Sequence, residues 1–197
     1  MASAKDRKEE LEDRIMSELY EALADLLEYP GNDWNPKVGL RRLSLKGQRP
    51  GISFAFAEFR RKTEGFTVAD LQELYTRTFD LNPVCALEVG YHLFGENYKR
   101  GIFLANLRET ETPFALGQER QLPDYLPVLL RLLGKLDDEE LRGSLITECL
   151  LPAIEKMLVT FGQSENPYRE LIQTVGIALK LEIDAGMDHC CEVAAVT

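Results

Sequence analysis

Residues 75–101 read YTRTFDLNPVCALEVGYHLFGENYKRG, and this stretch is the most informative about the fold. Its apolar residues recur three or four positions apart, a spacing that places them on one face of an α-helix. Pro83 suits the first turn of a helix, where its missing N–H costs nothing, and Gly95 is a favoured helix stop. We therefore predict that one helix ends before Pro83 and that a second begins there. The predicted second helix carries Leu87, Tyr91 and Phe94 on one face and ends at Gly95.

The helical period of this stretch continues towards the N-terminus. Thr67 and Asp70 form a variant capping box that opens the helix with Phe79 on its inner face. An aromatic helix ending near Gly65 precedes this box, and residues 32–49 form a predicted loop with a short helix near residues 36–43. The first predicted helix ends at residues 29–32, and its apolar stripe consists of Leu11, Ile15, Leu19, Leu23 and Leu26.

Towards the C-terminus, the spacing predicts a helix over residues 98–112 and another beginning at Pro123. Asp137 and Glu140 form a second candidate capping box, ahead of a long helix that Pro152 should kink or divide. Pro167 should open the last helix. We find no alternating pattern typical of a strand. The sequence therefore predicts one all-α domain over residues 1–197, a bundle of roughly eight helices, with residues 1–8 and 186–197 as mobile tails.

Composition narrows the class of partner. The chain has 197 residues and a formal net charge of −10, which argues against nucleic acid or an anionic membrane surface as its main partner. The charged N-terminus lacks the features of a signal peptide, and no run of about 18 apolar residues predicts a transmembrane helix. The cysteines show neither CxxC spacing nor the density of a disulfide scaffold. We expect a cytoplasmic protein that does not insert into the membrane.

Two groups of residues could hold a metal ion. His92 and Glu96 are four residues apart, so one helix face could present both, but Gly95 interrupts the helix and the sequence supplies no third ligand. His189, Cys190 and Cys191 are soft ligands, yet adjacent cysteines do not readily bind one tetrahedral ion. We therefore predict no metal site and no cofactor of the protein's own.

Carboxylates and aromatic residues near the central stretch have alternative interpretations. Asp80 and Asp124 lie at predicted helix boundaries and could cap helices, and Asp124 could equally contact a ligand. Together with Glu88 and Glu96 they could support acid–base chemistry, although no nucleophile or phosphate-binding motif accompanies them. The aromatic residues at helical spacing could belong to the core or line a groove for an apolar helix. These residues are Tyr91, Phe94, Tyr98 and Phe103.

Several ordered blocks resemble the NarJ-type assembly chaperones of molybdenum oxidoreductases, a family grouped with the TorD and DmsD chaperones. The blocks are Leu26-Leu27-Glu28-Tyr29-Pro30, Leu71-Gln72-Glu73-Leu74-Tyr75, Thr78-Phe79-Asp80, Pro83, Tyr91-His92-Leu93-Phe94-Gly95, Arg100-Gly101 and Leu122-Pro123-Asp124-Tyr125-Leu126-Pro127. The similarity extends from about Met16 to Leu133. Many members of this family have His where this chain has Tyr125.

The resemblance implies a non-enzymatic helical chaperone, a monomer or a dimer. Such a protein binds the N-terminal segment of a molybdenum enzyme's catalytic subunit and holds it until the molybdenum cofactor is inserted. An acidic bundle with an aromatic groove suits a segment that is basic at one end and apolar along its length. We expect the contact surface to contain Tyr91, His92, Tyr98, Asp124 and Tyr125, with Glu88 and Glu96 as charge partners.

Two other functions remain open from the residues alone. One is a nucleotide-binding protein or small enzyme that uses His92, Asp124 and the nearby carboxylates. The other is a structural helical adaptor that binds no client peptide. Stabilisation by a nucleotide would indicate the first alternative, because any ligand of the native state raises its stability.

Overall fold

Helices form nearly all of the chain that the structure describes. The computed structural model covers residues 4–31, 50–116 and 120–194. The α-helices are α1 (Ala4–Leu27), α2 (Pro50–Lys62), α3 (Val68–Tyr75), α4 (Val89–Phe94), α5 (Tyr98–Glu111), α6 (Leu126–Leu133), α7 (Glu139–Ser144), α8 (Leu151–Phe161) and α9 (Tyr168–Ala194). Two π-helical segments, Thr76–Asp80 and Leu145–Leu150, extend α3 and join α7 to α8. Strand pairing within these ranges is limited to one isolated bridge between Glu88 and Tyr125. The predicted all-α fold is confirmed.

The core lies between the longest helices. α1 packs on α6, and α9 packs on α2 and α8. Seven of the eight residues of α6 are buried, because its sequence LPVLLRLL is apolar except for one arginine. That residue, Arg131, donates to Glu21 and Asp25 of α1 and to Glu28 just after it, at 3.3, 2.8 and 2.6 Å. The polar contacts therefore fix α1 against an almost wholly apolar helix.

An aromatic cluster joins α3 to α9. The ring of Phe79 is 5.0 Å from that of Tyr75 and 4.9 Å from that of Tyr168, measured between centroids. Tyr168 is fully buried and Phe79 is 4% exposed. The predicted inward position of Phe79 is therefore confirmed.

The helix predicted to begin at Pro83 is wrong. Pro83 starts a single 3-10 turn that ends at Cys85, and α4 begins only at Val89. The intervening residues are extended because Leu87 O and Val89 N hydrogen-bond to residues 124–126. Leu87 is buried as predicted, whereas Tyr91 and Phe94 are half-buried and lie outside the core.

The start predicted for α6 is also wrong. This helix begins at Leu126, with Pro127 rather than Pro123 in its first turn. Pro123 is instead in a turn that leads into the paired segment at residues 124–126. Proline signalled a helix start in both places, but residues 87–89 and 124–126 hydrogen-bond to each other, and each helix begins only after these bonds.

One of the two predicted capping boxes is confirmed. Asp70 N donates to Thr67 Oγ1 at 3.2 Å, and Thr67 N donates to Asp70 Oδ2 at 2.8 Å. The second is wrong by one residue, because Asp138 rather than Asp137 caps α7 and accepts from Leu141 N at 2.9 Å.

The long helix changes geometry just before Pro152, as its predicted division requires. The Leu151 N–H donates to Ile146 O, five residues back, as in a π-helix. This wider turn lies immediately before Pro152, which has no N–H to continue the α-helical hydrogen bonds.

Other predictions fall at the edges of the described structure. The loop at residues 32–49 and its short helix lie outside the described residues. The backbone of α1 includes part of the first predicted tail, and α9 continues through Gly186 to Ala194. Mobility of both tails stays a prediction. Within the described ranges, no helix combines the length and apolar character needed to cross a membrane.

Candidate functional site

The two most distinctive sequence blocks meet in the structure. Val89 N donates to Asp124 O and Leu126 N donates to Leu87 O, both at 2.8 Å. These bonds bring the segment before α4 alongside the segment before α6. The arrangement places Glu88 next to the LPDYLP block, although the two are more than 30 residues apart in sequence.

Asp124 is the centre of this contact. It is fully buried, and its Oδ2 accepts from Gly90 N at 3.2 Å and from Arg100 Nε and Nη2 at 3.1 and 3.0 Å. Its other oxygen, Oδ1, is buried and has no hydrogen-bond partner. Asp124 therefore neither caps α6 with its side chain nor lies on the surface. We call Asp124, Arg100 and Gly90 the Asp124 clasp, because they join α4, α5 and the segment before α6.

The clasp leaves no room for a side chain at residue 90. A Cβ on Gly90 would lie 2.7 Å from Asp124 Oδ2, 3.0 Å from Phe103 Cδ1 and 3.3 Å from Arg100 Cγ. Contacts below 3.0 Å require a neighbour to move, and the nearest atom here is a buried carboxylate oxygen. A glycine at this position lets the α4 backbone approach Asp124 closely enough to donate to it.

Electrostatics at this contact are unfavourable for the carboxylates. Burial raises the pKa of Asp124, and the Arg100 guanidinium and the Gly90 N–H oppose that rise. Burial also raises the pKa of Glu88, and the negative charges of Asp124 and Asp80 add to that rise, whereas a hydrogen bond from its own backbone and the charge of Arg100 oppose it. The side chain of Arg100 is 23% exposed, so solvent partly screens its compensation.

Tyr125 is also an interior residue. It is 7% exposed, and its hydroxyl lies 2.8 Å from that of Tyr75 and donates to Leu27 O at 3.4 Å. Burial raises the pKa of Tyr125 to about 12. In this conformation the phenol links α1, α3 and the segment before α6, and it is not available to a partner at the surface.

The other five predicted contact residues are accessible to different degrees. Glu88, Tyr91 and His92 are half-buried, whereas Glu96 and Tyr98 are exposed, Tyr98 to 75%. We call these five residues the α4–α5 surface. The structure thus brings all seven predicted residues into one region and divides them between this surface and the interior behind it.

His92 is held by local contacts. Its Nε2 lies 2.7 Å from Ala86 O, and its own backbone O accepts from Lys156 Nζ at 2.6 Å. Burial lowers the pKa of the imidazole. The described contacts of Asp124 are with Gly90 and Arg100 and do not include a hydrogen bond to His92.

Sequence reasoning missed the roles of Gly90 and Arg100. Arg100 belongs to one of the NarJ-like sequence blocks, but the sequence did not indicate its ion pair with Asp124. Nothing in the sequence around Gly90 indicated its close contact with Asp124. Asp80, expected to cap a helix, instead ends the π-helical segment of α3 as an exposed residue. A residue at the C-terminal end of a helix cannot supply the acceptor that helix N-termini need.

Within the described ranges, no three His, Cys, Asp or Glu residues lie close enough together to hold a metal ion. The side chains of His189, Cys190 and Cys191 fall outside the described part of the chain.

A separate open pocket of about 710 Å³ lies between α3 and the turn before α9. Its lining includes Phe66, Glu73, Arg77 and Asn166, and it contains none of the seven predicted contact residues. The mixed charge of this lining favours no class of ligand.

Comparison with known proteins finds a relative that matches most of the chain. The sequence is 28% identical over 164 residues to a Bacillus subtilis (strain 168) protein named "Probable nitrate reductase molybdenum cofactor assembly chaperone NarJ". The aligned region covers 82% of this chain and 88% of that protein. The resemblance to NarJ-type chaperones is confirmed. No family model matches the chain.

The similarity to NarJ extends beyond the short sequence blocks around the site, because the alignment covers 82% of the chain. The structure adds that the central blocks of the NarJ-like pattern lie at the Asp124 clasp and the aromatic cluster. In this protein, part of that pattern therefore has a packing role.

Proposed function

We propose that this protein is a cytoplasmic assembly chaperone for a molybdenum oxidoreductase of the nitrate reductase type. It binds the N-terminal segment of the catalytic subunit and holds it for molybdenum cofactor insertion, before membrane docking or export. It performs no catalysis itself. The observation that carries this proposal is the similarity to NarJ over 82% of the chain.

The geometry of the α4–α5 surface is compatible with peptide binding. α5 packs mainly against α4 and against the 3-10 turn Thr112–Phe114 at its own C-terminal end. Much of the α5 surface is therefore uncovered. Tyr98 and Ile102 lie one turn apart on α5 and are 75% and 56% exposed. An apolar helix can bury against such a pair, while Glu88 and Glu96 attract a basic group at its end.

The interior residues support this surface rather than forming it. Asp124 holds α4 and α5 together through Gly90 and Arg100, and Arg100 also lies 6.0 Å from the centre of the Tyr91 ring. The clasp therefore fixes two of the helices that carry the proposed contacts. We infer that Asp124 and Tyr125 contribute to binding by positioning, and that the α4–α5 surface makes the direct contacts.

Co-expression with the catalytic subunit of the native host tests the proposal. The tagged chain should capture the full-length subunit and lose most of it when the N-terminal segment of the subunit is deleted. Tyr98→Ala should weaken capture, because it removes a large exposed aromatic side chain from the α4–α5 surface. Phe54→Ala on α2 is a matched control, since Phe54 is 67% exposed but lies on a helix that packs against α9.

Two results would contradict the proposal. Capture that does not depend on the N-terminal segment would reject that segment as the ligand. Equal losses with Tyr98→Ala and Phe54→Ala would reject the α4–α5 surface as the contact.

A further inference from the structure

The helix α4 is too short to hold its orientation alone. It has six residues, Val89–Phe94, whereas isolated helices shorter than about 12 residues are marginal in water. Its direction relative to the rest of the bundle therefore depends on the groups that bind its two ends. Tyr91 and His92 of the α4–α5 surface lie on this helix, so the same groups decide where both side chains face.

Asp124 holds the N-terminal end of α4. Its backbone O accepts from Val89 N at 2.8 Å, and its Oδ2 accepts from Gly90 N at 3.2 Å. Both N–H groups belong to the first turn, where a helix supplies no acceptor of its own. The start of α4 is therefore fixed to the segment before α6.

Lys156 of α8 holds the other end. The last carbonyl groups of a helix lack partners within it, and a lysine side chain can donate to them. Lys156 Nζ donates to His92 O at 2.6 Å, although the two residues are 64 positions apart in sequence. A positive charge is also favoured by the partial negative charge at a helix C-terminus. Two separate anchors, one at each end, thus set the orientation of α4.

The base of the second anchor is fixed by the core. α8 buries Ala153, Ile154 and Met157 and packs on α9, so the backbone of Lys156 is held in place although its side chain is exposed. An exposed side chain with one hydrogen bond contributes little to the free energy of unfolding. The effect of Lys156 on the direction of α4 is consequently separable from a stabilising role.

Lys156 acts on α4 through the main chain of His92. The ring Nε2 of His92 lies 2.7 Å from Ala86 O, and this nitrogen is the donor because a carbonyl oxygen only accepts. The side chain and the main chain of one residue are thus bound to different segments. Loss of the Lys156 contact frees the main chain where α4 presents His92 and, one residue earlier, Tyr91.

We propose that Lys156 is a positioning residue for the bound peptide. By holding the C-terminal end of α4 to α8, it sets how Tyr91 and His92 face the peptide, and it acts through α4 rather than by touching the peptide. This inference rests on the proposed function, because the peptide is the N-terminal segment of the catalytic subunit.

Three variants test the inference. Lys156→Met removes the donor and keeps the length of the side chain, whereas Lys156→Arg keeps a donor. Lys180→Met is the matched control, because Lys180 lies on α9, is 61% exposed and pairs with Glu155 at 3.9 Å. Both Met variants remove one positive charge from the protein, and that loss alone favours a basic peptide. A weaker affinity of Lys156→Met therefore reports a displaced α4 and not the change in charge.

Calorimetry with the synthetic N-terminal segment of the host's molybdenum enzyme measures the affinities. Lys156→Met should weaken binding about threefold to tenfold, because the net contribution of one hydrogen bond limits what its loss can remove. Lys156→Arg should restore most of the affinity, and Lys180→Met should bind as tightly as the unmodified protein or slightly more tightly. The melting temperature of Lys156→Met should change by less than about 3 °C.

The imidazole of His92 supplies a readout that a general loss of stability would not move. Burial lowers its pKa, and the contact with Ala86 O opposes that change. The positive charge of Lys156 lowers the pKa of His92 further, whereas the negative charge of Asp124 raises it. The pKa of His92 is therefore sensitive to whether a cation is held beside it.

An NMR titration uses this sensitivity. The chain has two histidines, so a His189→Gln background assigns the signal of His92. The pKa of His92 should rise in Lys156→Met and should stay close to its original value in Lys156→Arg and Lys180→Met. An unchanged pKa in Lys156→Met would show that the amine is not held beside His92 and would overturn the inference.

Two further results in calorimetry or thermal melts would overturn the inference and leave the proposed function intact. One is an affinity that Lys156→Met leaves unchanged, or lowers no more than Lys180→Met does. The other is a loss of affinity with a fall in melting temperature beyond about 3 °C, which would make Lys156 a structural residue.

Hydrogen exchange separates failure of the inference from failure of the proposed function. If the unmodified protein binds no peptide from the enzyme, the proposed function fails, and exchange of the α4 amides tests the anchor by itself. Gly95 N donates to Tyr91 O in the last turn, so its exchange should be faster in Lys156→Met, while exchange at Gly90 should stay the same. Equal exchange at Gly95 in both proteins would overturn the anchor.

Discussion

We expect the loss of the Asp124 carboxylate to lower the stability of the folded protein and not to remove a direct contact with a partner, because this side chain is fully buried. Asp124→Ala leaves the Gly90 N–H without its acceptor and the Arg100 guanidinium without its counter-ion. Breaking a buried ion pair in this way costs about 3–5 kcal/mol. The Arg100 side chain is 23% exposed and can be hydrated, so we expect a smaller loss of about 2–3 kcal/mol in the free energy of unfolding.

Gly90→Ala perturbs the same clasp from the other side. The new Cβ would lie 2.7 Å from Asp124 Oδ2, so the substitution should cost about 1–3 kcal/mol through overpacking. In the Asp124→Ala background that oxygen is absent and the cost should fall by about 1 kcal/mol, a coupling typical of residues in contact. Gly101→Ala is the matched control, because nothing lies within 4 Å of a Cβ there and an exposed helical position favours alanine.

Urea unfolding of the single and double variants measures these effects, with the slope m reporting whether the unfolding reaction has changed. The melting temperature of Asp124→Ala should fall by roughly 4–12 °C, given about 2–4 °C per kcal/mol for a domain of this size. A loss below about 1 kcal/mol together with strict additivity of the two substitutions would refute the clasp.

Three further predictions concern the core and the half-buried carboxylate of Glu88. Phe79→Ala should cost about 3–5 kcal/mol in urea unfolding, because the buried ring packs on Tyr75 and Tyr168, and a loss below about 1 kcal/mol would contradict that packing. Tyr125→Phe should cost about 1–2 kcal/mol by leaving the buried Tyr75 hydroxyl without its partner, whereas Tyr98→Phe at the surface should change stability by less than about 0.5 kcal/mol. The pKa of Glu88 in the folded protein is raised above its usual value of 4.5. The protonated Glu88 therefore contributes to the free energy of unfolding below pH 4.5, and this contribution is lost as the pH rises through the folded pKa. Glu88→Gln should therefore flatten the decline of the unfolding free energy above pH 4.5, and an unchanged profile would contradict the assigned burial of this carboxylate.

Local periodicity was sufficient to predict the helices of this protein but not where two of them begin. The Thr67 box, Gly95 and Pro167 act within a few residues of themselves, so sequence reasoning placed the corresponding helix ends correctly. Pro83 and Pro123 carry the same kind of signal, yet the hydrogen bonds between residues 87–89 and 124–126 override it. Pairing between distant segments leaves no mark in the spacing of either one.

At the candidate site, too, the sequence predicted local features but not the contacts between distant segments. Residue type and family resemblance gathered seven residues that the structure does place in one region. Sequence alone could not tell that Asp124 and Tyr125 point inward, because an aspartate in a turn is usually exposed and its partner Arg100 is a separate helix away. Gly90 could not be recognised without the close approach of the two backbones that requires it.

Calorimetry with the N-terminal peptide of the host's molybdenum enzyme tests the central claim most directly. We expect binding tighter than about 100 μM, equivalent to roughly −5.5 kcal/mol, with a modest decrease at higher salt because exposed charges are screened within about 8–10 Å. A scrambled peptide of the same composition should bind more weakly, since apolar burial depends on the order of its side chains. If no N-terminal peptide from the host's molybdenum enzymes binds at about 100 μM, this protein is not a chaperone for that segment.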